Sequence, residues 1–92
     1  MNHVRLSEKE NSVIILDQSI LPNREEYIEL SSPEEMYEAI EKLRVRGAPA
    51  IGIFAGYAMA ALAEQNRNAK PEEFLGKMQT LGEYLKSSRP TA

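Results

Sequence analysis

The chain has 92 residues, which is room for one domain or part of one, with about 60–65% of the unfolded surface buried. Hydrophobic and charged contents of 42% and 27% are ordinary for a globular fold, and a net charge of −3 without a basic patch interleaved with aromatics argues against generic binding to nucleic acid or to a membrane surface. The absence of cysteine excludes a disulfide framework, a thiolate nucleophile and a cysteine–zinc site.

The opening "MNHVRLSEKENS" lacks the apolar core of a signal peptide, so a cytoplasmic address is the default expectation. "HVRL" (His3 to Leu6) is a weak strand candidate, and Glu8 to Ser12 supply turn residues. "VIILDQ" (Val13 to Gln18) is β-branched and apolar and predicts a strand. "LPN" (Leu21 to Asn23) reads as a turn, and "EYIELS" (Glu26 to Ser31) as a third strand. Three strands at this spacing predict an antiparallel meander.

Ser32, Pro33 and Glu35 then place a hydroxyl at a helix N-cap, a proline at the first helical position and a carboxylate at the third, which is a capping box. Met36, Ala39, Ile40 and Leu43 recur at helical spacing, and Gly47 and Pro49 predict an end near Arg46. A second helix is expected from Ala48 or Pro49 to about Gln65. It is apolar on every side, with small residues (Gly52, Ala55, Gly56, Ala58, Ala60, Ala61) among large ones. Such a helix requires tertiary packing on most of its sides. The apolar run from Ala48 to Ala63 is shorter than the roughly 20 residues of a membrane-spanning helix. After the polar link Asn66 to Lys70, a third helix is expected from Pro71, with Phe74, Met78, Leu81 and Leu85 on one face and Lys86 at its end. The fold class is therefore α+β, three short antiparallel strands packed on a bundle of three helices.

Chemistry gathers at "VRGAPAIG" (Val45 to Gly52). A helix N-terminus presents unpaired N–H groups at the positive end of the helix dipole. Gly47 permits close approach to a ligand, Pro49 withdraws its own N–H, and Arg46 adds a forked cation. Arg46, Gly47 and Ala48 thus form a candidate cradle for phosphate or carboxylate; the same pattern also makes an ordinary corner between helices, its commoner use. Arg89, in "SSRPTA", is the second candidate cation, although on spacing alone a helix C-cap is the commoner role of such a residue. Asp17 and Gln18 are polar groups at a strand end, where such residues more often start a turn. His3, alone near a terminus, is expected to be solvated. No metal site is expected.

"LDQSILP", "MYEAIEKLRVRGAPAIGIFAGYAMA" and "SRPTA" resemble, in that order, the N-terminal part of the S-methyl-5-thioribose-1-phosphate isomerases. That superfamily also contains ribose-1,5-bisphosphate isomerases and regulatory subunits of a translation-initiation nucleotide exchange factor. The resemblance implies an enzyme of methionine salvage that converts 5-methylthioribose 1-phosphate to the ketose without a cofactor. It implies substrate-holding roles for Arg46, Gly47, Ala48 and Arg89. The family's catalytic cysteine and aspartate lie in a Rossmann-like C-terminal domain, and this chain ends before it. Residues 1–92 are accordingly expected to be the N-terminal domain of a larger isomerase, inactive alone, whose partners are the sugar phosphate and the missing domain. Uncovered apolar faces would also open a route to a homodimer. The alternatives are a non-catalytic regulatory or interaction module of the same superfamily, or a ribose-1,5-bisphosphate isomerase.

Overall fold

A computed structural model describes residues 4–17, 26–43 and 48–88, with the side chains of Asp17, Lys42, Leu43 and residues 48–50 outside the description. Three strands precede three helices: β1 (Val4–Leu6), β2 (Val13–Asp17), β3 (Glu26–Leu30), α1 (Pro33–Leu43), α2 (Ala48–Gln65) and α3 (Pro71–Lys86). The expected α+β arrangement is what forms. The turn expected at Leu21 to Asn23 and the end of the first helix near Arg46 lie outside the described residues.

The sheet is an antiparallel meander in the order β1-β2-β3. Val4 pairs with Ile15 and Leu6 with Val13 across one ladder; Val13 pairs with Leu30 and Ile15 with Ile28 across the other. The period of two puts all six apolar side chains on one face, toward the helices. The other face carries Arg5, Ile14, Leu16, Tyr27 and Glu29. There the Arg5 guanidinium lies 5.2 Å from the Tyr27 ring centroid, so Tyr27, 46% exposed, stacks under a cation instead of packing in the core.

The turn between β1 and β2 is closed by the Ser7 N–H donating to the Ser12 carbonyl (2.9 Å) and the Glu10 N–H donating to the Ser7 carbonyl (2.9 Å). It places Glu10 at φ 63°, a left-handed conformation that side chains disfavour. Buried Ser12 is held by its hydroxyl donating to the Glu29 carboxylate.

The capping box at α1 forms as expected. The Glu35 N–H donates to the Ser32 hydroxyl oxygen (3.1 Å), and the Glu35 carboxylate accepts from the N–H groups of Ser31 (3.0 Å) and Ser32 (3.1 Å). Those two backbone donors hold the Glu35 carboxyl below its ordinary value. The core is one cluster containing Val4, Val13 and Leu30 from the sheet, Met36 and Ile40 from α1, Phe54, Ala58 and Leu62 from α2, and Leu85 from α3. Met59 and Met78 pack partly buried against it. Tyr37 and Tyr84 stack between α1 and α3, with ring centroids 4.8 Å apart. Desolvation there, with Glu34, Tyr37 and Glu41 nearby, pushes the Tyr84 hydroxyl up.

One expectation about α2 is met only in part. Ile51, Phe54, Ala58, Ala61 and Leu62 are buried, but Gly52, Ile53, Gly56 and Ala60 are exposed. The described elements cover one side of a helix that has no polar side.

Candidate functional site

The helix predicted to receive an anion starts at Ala48, at the near end of the position expected from sequence. Its first turn differs from those of its neighbours. α1 opens with Glu34 and Glu35 and α3 with Glu72 and Glu73, so carboxylates answer the positive ends of those helix dipoles. The first turn of α2 holds no acidic residue, leaving the positive end of an 18-residue helix uncompensated by its own sequence.

α2 and α3 form an antiparallel hairpin across the link 66–70. Side chains of the two helices meet. A Cβ at Gly82 would lie 3.6 Å from the Met59 methyl carbon, and Ala55 and Lys86 line one cavity together. Ala55 and Met59 of α2 and Gly82 and Lys86 of α3 therefore meet at the same cavity. Ser88, two residues past the last residue of α3, lies toward the end of the hairpin at which α2 begins. Ser88 is held firmly there: it is buried, its hydroxyl donates to the Leu85 carbonyl (2.5 Å), and its N–H donates to the same carbonyl (3.1 Å). The end of α3 and the beginning of α2 thus share one end of the hairpin.

Of the sequence-predicted residues, Ala48 is placed as the first residue of α2. Arg46, Gly47 and Arg89 lie outside the described residues, as do His3 and Gln18 and the side chain of Asp17. The described residues that flank the candidates, Leu43, Ala48 and Ser88, belong to α1, α2 and the end of α3.

Lys86 is a residue that sequence reasoning assigned only to the helix dipole. It lines a cavity of about 160 Å³ with Ile40, Ala55, Met59, Gly82 and Leu85, between the three helices and on the side of α2 that leads to its N-terminus. Its spacing of three from Arg89 was the available signal. A larger, more open groove of about 520 Å³ lies at the opposite end of the hairpin, lined by Ala63, Arg67, Ala69, Pro71, Phe74 and Leu75. Its one cation is engaged, Arg67 pairing with Glu64 at 3.1 Å. Among the described residues no group of three or more His, Cys, Asp or Glu side chains could hold a metal ion, and no helix is long and apolar enough to cross a membrane.

No protein-family model matches the chain. Curated proteins do. The chain is 45% identical over 89 residues to the 5-deoxyribose 1-phosphate isomerase of Petrotoga mobilis, an alignment that covers 97% of this chain and 26% of that protein. It is 45% identical to the methylthioribose-1-phosphate isomerase of Parabacteroides distasonis, covering 97% and 27%, and 42% identical to that of Symbiobacterium thermophilum, covering 97% and 25%. The chain therefore spans about a quarter of the length of these relatives. Nearly its whole length is homologous to the N-terminal part of the methylthioribose-1-phosphate and 5-deoxyribose 1-phosphate isomerases.

Proposed function

We propose that this chain is the N-terminal, substrate-holding domain of a sugar-phosphate aldose–ketose isomerase. The observation that carries the reading is the identity of 45% over 97% of the chain with isomerases named for pentose 1-phosphates. The substrate is 5-methylthioribose 1-phosphate, converted to 5-methylthioribulose 1-phosphate in methionine salvage, in the cytoplasm. The name of the Petrotoga relative adds 5-deoxyribose 1-phosphate as a second candidate. Both sugars carry phosphate on C1 and lack a 5-hydroxyl.

The phosphate is the handle this chain grips. Its oxygens accept hydrogen bonds from the Arg46 guanidinium and from N–H groups at the start of α2, those of Gly47 and Ala48. Proline at 49 has none to offer. Arg89, which follows α3 in the sequence, joins as the second cation. The acid-free first turn of α2 supports this assignment, since an anion there meets the dipole without a competing carboxylate. The groups that move protons belong to the Rossmann-like remainder of the polypeptide, and the 92 residues bind without turning over.

Calorimetric titration with 5-methylthioribose 1-phosphate tests the reading. The expected result is salt-sensitive binding that weakens at least tenfold in Arg46→Ala and in Arg89→Ala, with no ketose formed by this chain. Ketose production by the 92 residues, or binding indifferent to both arginines, overturns it.

A further inference from the structure

We draw no further inference here: the strongest candidate, the cavity of about 160 Å³ between the three helices beside Met59 and Lys86, is an apolar hollow, and nothing in the structure shows what fills it.

Discussion

Gln65 is the last residue of α2 and an exposed one, yet it ties the helix to two distant points of the sheet layer. Its side-chain Nε2 donates to the Asn11 carbonyl at 2.7 Å and to the Ser31 carbonyl at 2.7 Å. The first lies in the turn between β1 and β2, the second in the link from β3 to α1. Both partners are acceptors, which fixes the orientation of the amide. Gln65→Met keeps the length and much of the helix propensity while removing both bonds. At about 0.5–1.5 kcal/mol per bond, the pair contributes about 1–3 kcal/mol, and exposure to competing water favours the lower half of that range. Against a total stability of about 5–14 kcal/mol for a chain of this size, the loss is measurable by urea unfolding, and it corresponds to about 4–8 °C in Tm per kcal/mol. Gln65→Glu should cost more, since it aims carboxylate oxygens at two carbonyls and sets a negative charge at a helix C-terminus. A Met variant within about 0.3 kcal/mol of the parent, well below the value of one such bond, or a Glu variant at least as stable as the Met variant, refutes the assignment of these bonds as a clamp.

Removing the α1 cap in Ser32→Ala should lower stability by about 1 kcal/mol. Glu35→Gln retains the reciprocal geometry, which glutamine also satisfies, and should cost less. The Glu35 carboxyl is lowered below 4.5 in the folded chain by its backbone donors. Its contribution is therefore present above the unfolded value and lost as pH falls through the folded one. Urea midpoints of the parent should fall more between pH 6 and pH 3 than those of Glu35→Gln; equal falls contradict the cap. Glu10→Gly should raise the thermal midpoint, because it relieves a left-handed side chain worth about 1 kcal/mol, and a lowered midpoint refutes this. Phe54→Ala empties the centre of the core, where Phe54 is fully buried. At about 3–5 kcal/mol it should leave a visible unfolded fraction by circular dichroism at 37 °C, and unchanged helicity there would place the core elsewhere.

Local rules made much of the fold legible. Ser32, Pro33 and Glu35 announce the start of α1 because every partner in the capping box lies within four residues. Alternation in β3 and the 3.6-residue spacing of Met36, Ala39 and Ile40 locate the core face for the same reason, whereas the unbroken apolar run of β2 does not say which of its sides is covered. Gln65 escaped notice because its acceptors lie 54 and 34 residues away, and nothing local distinguishes a clamping glutamine from a solvated one. The exposed side of α2 was also illegible. A helix apolar all round carries no periodicity to say which side is covered, so burial of Phe54 and exposure of Gly56 follow from the placement of β1, β2, α1 and α3. Of the candidate anion site, only Ala48 among the four named residues is described. That α2 and α3 meet at Met59 and Gly82 was hidden because the contact joins residues 23 apart and shows only in three dimensions.

The contrast among the three helix starts yields a test in which stability and binding move in opposite directions. Ala50 is within the first turn of α2 and precedes no acidic residue there. Ala50→Glu would give α2 what α1 and α3 already have, a carboxylate at the positive end of the dipole. On helix electrostatics alone this should stabilise the chain by about 0.3–1 kcal/mol at low salt. The same carboxylate would occupy the field that draws the phosphate and repel it, so affinity for 5-methylthioribose 1-phosphate should fall at least tenfold. A helix start that serves only as a corner gains the stability and has no binding to lose. A variant that is less stable than the parent would show that the first turn is already satisfied from elsewhere, and one that is more stable yet binds the sugar phosphate as well as the parent would place the anion away from α2. Only the combination of a firmer fold and a weakened grip is what an open, acid-free helix start devoted to an anion requires.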